Sequence, residues 1–260
     1  MVNKPMIVVA AVVVLAGAGI AYYFHVHNAP AARLPAAAAA PPPAPAEPAI
    51  EHPVPNSGSA SAPLPALGDS DPALRDALDG ALGKDAMRYL VPEGIVRHIV
   101  VTIDNLPRQK VSAAKRPTVA VPGTFLVQGD ELHATIDPKN YARYDAMVSV
   151  VRKLDMKQVA DVYLHFYPLF QGAYQDLGYP TGYFNDRLVQ VIDSLLATPQ
   201  ILGPIELTRP NVLYTFADPT LEARPAGQRL LLRMGPDNAA VIKAKLTELR
   251  AIITAAPPAR

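Results

Sequence analysis

The chain has no cysteine. Disulfide frameworks, thiolate metal sites, iron–sulfur clusters and cysteine nucleophiles are therefore excluded. Nor does either charge dominate: 24 Lys and Arg stand against 23 Asp and Glu, a formal net charge of +1. A nucleic-acid binder normally carries a strong basic excess, and an acidic solvating chain the reverse, so neither class fits and no nucleic-acid partner is expected. No P-loop, dinucleotide fingerprint or Gly-x-Ser-x-Gly elbow occurs. The histidines of the C-terminal region, His98, His133 and His165, lack a second histidine at i+3 or i+4, so no metal is assigned. No cofactor and no catalytic residue is assigned either.

The apolar content is concentrated first at the N-terminus. Met6 to Phe24 is a run of 19 residues without a charge. As a helix rising about 1.5 Å per residue it covers roughly 28 Å, close to the hydrocarbon thickness of a bilayer. Tyr22, Tyr23 and Phe24 close it as an interfacial aromatic belt would. Lys4 precedes it and the next basic residue is Arg33, which places residues 1–5 in the cytoplasm and the rest outside. A cleaved secretory signal is the rival reading. It needs a shorter apolar core and small residues before the cut, where this run has aromatics.

Residues 25–66 read as a Pro/Ala-rich disordered linker. From Asn28 to Ala66, 39 residues hold 11 Pro and 14 Ala. Proline removes backbone donors and fixes φ, and the bulky apolar surface is too small to offset the entropy of ordering. A passive tether is one reading, and a ligand for a proline-recognition module the other.

Residues 67–254 have the composition of one folded domain, with 255–260 a disordered tail. Leu74, Leu78 and Leu82 predict a helix stopped by Gly83, and Ile95, Ile99, Ile103 and Leu106 a second, although the β-branched run 99–103 permits a strand. Phe125–Val127 and Leu132–Ile136 about Gly129 predict a hairpin. Asp137-Pro138 and Asp155 start further helices, and Pro168 should kink or break the latter before Gly178. Leu188 to Leu196, Arg224 to Met234 and a last helix starting at Asp237 or Asn238 follow, with short strands at 205–207 and 212–216. The fold class is mainly α with a few short β-strands.

Five ordered strings are distinctive together: Val101-Thr102-Ile103-Asp104-Asn105-Leu106-Pro107-Arg108; Asn140-Tyr141-Ala142-Arg143-Tyr144; Tyr167-Pro168-Leu169-Phe170-Gln171 through Gly178-Tyr179-Pro180; Phe184-Asn185-Asp186-Arg187-Leu188; and Gly227 to Gly235. In this order the chain resembles the bacterial family called domain of unknown function 3014, from about Leu67 to Ile253. The resemblance implies an envelope protein with an N-terminal anchor, and brings no activity, fold, cofactor or site residue.

Candidate binding residues come from two patterns. Seven of the eleven tyrosines lie between 141 and 183. Tyr141, Tyr144, Tyr163, Tyr167, Tyr174, Tyr179 and Tyr183 suit a groove that stacks against a glycan or an extended peptide, or else a core whose hydroxyls find partners. Asp104, Asn105, Arg108, Arg143, Asp186 and Arg187 suit a network binding a carboxylate or phosphate, or else local structural pairs. The layout of anchor, spacer and domain points to a non-enzymatic binding or scaffolding module whose partners are the membrane, through residues 6–24, and an envelope protein or cell-wall polymer. The alternative is a hydrolase of that polymer using two of Asp137, Asp155, Asp161, Asp176, Asp186 and Asp193. The basic loop 108–116 could also meet anionic headgroups.

Overall fold

A computed structural model describes residues 49–55, 63–130 and 133–255. The expected span 6–24, the linker before residue 49 and the tail 256–260 lie outside the described residues. Among the described residues no helix is long and apolar enough to cross a membrane.

The helices begin and end where the chain's own punctuation dictates. α1 (Asp71–Leu82) ends at Gly83, at φ 75°, and a short α2 (Lys84–Met87) follows. The Asp71 carboxylate accepts from Gly94 N (2.6 Å) and Ile95 N (3.0 Å), two of the orphan donors that open α3 (Ile95–Asn105). That cap settles residues 99–103 as helix despite their β-branching. The buried stripe of α3 is Ile95, Val96, Val100 and Asp104, with Ile99 and Ile103 half-buried beside it. A carboxylate thus falls on the core line.

Asp137 Oδ1 accepts from Lys139 N at the start of α4 (Lys139–Lys153), and Asp155 Oδ1 accepts from Lys157 N at the start of α5 (Met156–His165). Pro168 breaks rather than kinks the chain: α5 stops at His165 and α6 (Tyr167–Asp176) starts afresh with proline in its first turn, where no donor is lost. α7 (Phe184–Leu196), α8 (Pro219–Glu222), α9 (Ala226–Met234) and α10 (Pro236–Ile253) complete the helices.

The strands are minor. β1 (Val127–Gln128) pairs antiparallel with β2 (Thr135–Ile136), Val127 opposite Ile136. Gly129 makes the turn at φ 95°, and a side chain there would put Cβ 2.3 Å from the His133 carbonyl oxygen. β3 (Leu207–Thr208) pairs with β4 (Thr215–Phe216), and Leu207 N donates to Ala134 O (2.8 Å), which sews the two hairpins together.

α10 packs on α4, α5, α7 and α9, while α3 packs on α6 and α7 and α1 on α5. One core cluster joins Leu74, Val96, Val100, Phe166, Tyr167, Phe170, Tyr174 and Phe184. A second, of Ile136, Leu207, Phe216 and Leu232, lies under the hairpins. At 0% exposure, Phe184 is the central ring of the first cluster; truncating a ring so buried costs about 3–5 kcal/mol.

One departure from the expected layout concerns the linker. Val54 and Leu64, both before Leu67, pack against the first core cluster. For residues 49–55 the disorder expected to continue to residue 66 gives way to an irregular strap lying on the domain. Its hydrogen bonds supply the reason.

Candidate functional site

The first turn of α7 is where the structure concentrates polar contacts. Phe184 N donates to Gln171 Oε1 (2.8 Å), and Gln171 Nε2 donates to Gly182 O (2.7 Å), so the α6 glutamine caps the start of α7 from inside. Three successive residues then face three different parts of the chain.

Asn185 is 0% exposed, and its amide protons and its carbonyl oxygen are all engaged. Its Nδ2 donates to His52 O (2.8 Å) and to Ile253 O (3.1 Å), and its Oδ1 accepts from the Tyr163 hydroxyl (3.0 Å). Ile253 is the last residue of α10, so its carbonyl has no partner within the helix. One amide therefore ties the strap, the end of α10 and the aromatic core.

Asp186 faces the strap. Its Oδ1 accepts from His52 N (2.6 Å) and its Oδ2 from Glu51 N (3.1 Å). The Tyr183 hydroxyl accepts from Val54 N (2.9 Å). Residues 53 and 55 are prolines and have no N–H to give. Every main-chain donor from Glu51 to Pro55 is thus taken by Tyr183 or Asp186, and the missing donors coincide with the prolines. The strap is bound through its backbone, with a bend at Glu51 and His52 and prolines at the two positions that offer no donor. This surface of Tyr183, Asn185 and Asp186 is called the seat below.

Arg187 faces α3. Its Nη2 donates to Asp104 O (2.7 Å) and lies 3.1 Å from Asp104 Oδ1, while Nη1 donates to Gln190 Oε1 (2.6 Å). The Oδ1 contact is an ion pair without a hydrogen bond; Oδ1 and Arg187 Nε, both buried, have no hydrogen-bond partner. Arg108 Nη2 donates to Asp104 Oδ2 (2.7 Å) and to the Tyr179 hydroxyl (2.9 Å). Asp104 raises the Arg108 guanidinium above its ordinary range, which keeps this exposed cation charged. Two arginines on a carboxylate 3% exposed explain how a charge sits on the core line of α3.

Asp104, Arg108, Arg187 and Tyr179 are thus brought together, with the Tyr174 ring stacked on Tyr179 at 4.5 Å. Tyr183 and Asp186 form the adjoining seat. Asn105 donates to Val101 O one turn back in its own helix. Tyr163, Tyr167 and Tyr174 line the core rather than a groove: Tyr167 meets Tyr163 edge-on at 5.7 Å, and its hydroxyl donates to Gln171 Oε1 (3.0 Å). Burial pushes the Tyr163 and Tyr167 phenols well above their usual range. Tyr141, Arg143 and Tyr144 stand apart on α4. Tyr144 is buried with Val148 and Leu231, Tyr141 packs against Gly235, and Arg143 braces the loop carbonyls of Pro122 and Gly123.

The six acids weighed for a catalytic pair are each engaged. Asp137 and Asp155 cap helices, Asp161 pairs with Lys157 and Asp176 with Arg97, Asp186 holds the strap, and Asp193 takes two bonds from Arg250 (2.6 and 3.0 Å). Those bonds hold the Asp193 carboxyl below its ordinary range. Among the described residues no three His, Asp or Glu side chains gather as metal ligands would.

Sequence reasoning found Tyr183, Asp186 and Arg187 but missed Asn185, Gln171 and the strap. The available signal was the alternation Glu51-His52-Pro53-Val54-Pro55, a donor pattern within a stretch that composition alone reads as tether. Residues 95–250, more than half of the chain, match the profile of a family described as "Protein of unknown function (DUF3014)". No curated protein and no solved structure matches the chain.

Proposed function

The chain belongs to the DUF3014 family, whose description assigns no activity, and from that premise we propose that it is a membrane-tethered binding module of the bacterial envelope. In this reading residues 6–24 are a single-pass inner-membrane anchor, residues 1–5 are cytoplasmic, and the helical domain works in the periplasm at the end of a Pro/Ala-rich spacer. Tethering confines the domain to a shell near the membrane and raises its effective concentration for a partner there, an envelope protein or the wall polymer.

One observation carries the reading: the domain grips a proline-punctuated segment by its main chain at Tyr183, Asn185 and Asp186. Backbone capture of an extended chain is a recurrent mode of peptide recognition, and here rigid helices carry the groups that do it.

The test uses full-length protein in cells. A reporter fused after Ala66 should be active only in its exported form, and crosslinked capture of a partner should weaken when the spacer is deleted. The purified chain should leave wall polymer undigested. Activity of a cytoplasm-only reporter, or muropeptide release abolished by a single Asp→Asn change, would contradict the proposal.

A further inference from the structure

We infer that the seat on α7 is an exchangeable peptide site, and that its occupant in trans is the same strap, residues 49–55, of a second copy of this chain. The inference rests on the binding-module reading and names that site's partner.

Three features of the strap make it exchangeable. First, the seat contacts main-chain groups: Glu51 N, His52 N and Val54 N donate to it and His52 O accepts from Asn185. Such contacts are indifferent to which molecule supplies the segment, provided that prolines stand where donors are missing. The segment on the page with that pattern is residues 51–55 themselves. Second, the strap is shallow. Ile50 is 53% exposed, Glu51 and Pro53 are exposed, and only His52, Val54 and Pro55 are half-buried. Segments with few buried apolar contacts lie at the low end of local stability and open without global unfolding. Third, Pro53 and Pro55 restrict the free strap near its bound conformation, which lowers the entropy lost on each rebinding.

Geometry allows the transfer. The chain from Pro55 to Leu64, which packs against the first core cluster, has a contour on the order of 30 Å, and this is the reach of a released strap. In cis the strap competes at an effective concentration near the millimolar range for a short connection. An isolated molecule therefore keeps its own strap. Copies held in one membrane meet at higher local concentration, and exchange then links them without any new type of contact.

The experiment mixes two full-length variants in detergent. His52→Pro with Val54→Pro removes two of the three strap donors and leaves the seat intact. Tyr183→Phe with Asp186→Ala removes the seat's acceptors and leaves the strap intact; Asn185 is kept because it also holds Ile253 and Tyr163. Each variant alone should sediment as wild type does at low concentration. Mixed one to one, they should form a pair with a Kd at least about tenfold below that of wild-type self-association, because neither partner's contribution is already occupied in cis. A mixture no more associated than its components overturns the inference. If the double proline variant loses cooperative unfolding, Glu51→Pro replaces it, removing one donor at an exposed position. Protection of the strap amides from hydrogen exchange in the wild-type chain separates the two claims. An unassociated mixture with protected amides sinks the exchange alone, whereas unprotected amides sink the seat itself.

Discussion

Asn185 concentrates more structure than any charged residue in the domain. With both amide protons and the carbonyl oxygen engaged at 0% exposure, it has no spare capacity for solvent. Asn185→Ala leaves the Ile253 carbonyl and the Tyr163 hydroxyl unpaired in a buried place, and should lower stability by about 2–3 kcal/mol, read from the urea midpoint at unchanged slope. A second residue-scale expectation concerns acid. Arg250 depresses the Asp193 carboxyl, so its folded value lies below its unfolded one. Stability from this pair is present above the ordinary carboxylate range and is lost as pH falls through the depressed folded value. Urea midpoints of wild type and Asp193→Asn should converge as pH is lowered through that window; a gap that stays constant would contradict the assignment. At this scale Asp104, Arg108, Asp186 and Arg187 were legible from residue type and clustering. Asn185 was not, because an asparagine inside a helical pattern carries no sign of whether its amide meets solvent, backbone or a distant segment.

Helices were legible where proline and glycine punctuate them. Gly83, Pro168, Gly178 and Gly235 each end or open an element as expected, and the apolar spacing of Leu188 to Leu196 yields α7. Two short helices, Lys84–Met87 and Pro219–Glu222, escaped because four residues hold no periodicity. The buried stripe of α3 also sits one position away from the expected Ile95–Ile99–Ile103 line. Packing against α6 and α7 selects Val96, Val100 and Asp104, a choice made by tertiary contacts rather than by hydropathy. The junction of α9 and α10 offers a clear element-scale test. Gly235 holds φ 85°, and a Cβ there would lie 2.6 Å from the Tyr141 ring. Gly235→Ala combines left-handed strain with a clash at the packing of α4 on α10, and should cost more than about 1 kcal/mol in thermal or urea unfolding. A neutral result would mean that the two helices can separate freely at this point.

At the scale of the whole molecule, composition separated an apolar run, a Pro/Ala-rich stretch and a folded region, and it gave no sign that residues 51–54 of the stretch bond to the domain. Composition averages over a window, whereas the strap is held by four hydrogen bonds whose pattern matters only opposite Tyr183, Asn185 and Asp186. The spacer is therefore fastened to the domain at 51–54, and the reach available to a tethered domain depends on whether that fastening is closed. With the strap seated, the free length ends near residue 50; with it released, the free length extends toward Leu64, which packs on the core, on the order of 40 Å more at polyproline spacing. The central claim, a domain that grips a proline-punctuated chain by its backbone through the first turn of α7, is tested most directly by hydrogen–deuterium exchange on the full-length protein. The account predicts that the amides of Glu51, His52 and Val54 exchange markedly more slowly than in a free peptide of the same sequence, and that Tyr183→Phe with Asp186→Ala returns them to the free-peptide rate. Free-peptide exchange at all three amides in the wild-type chain would contradict it.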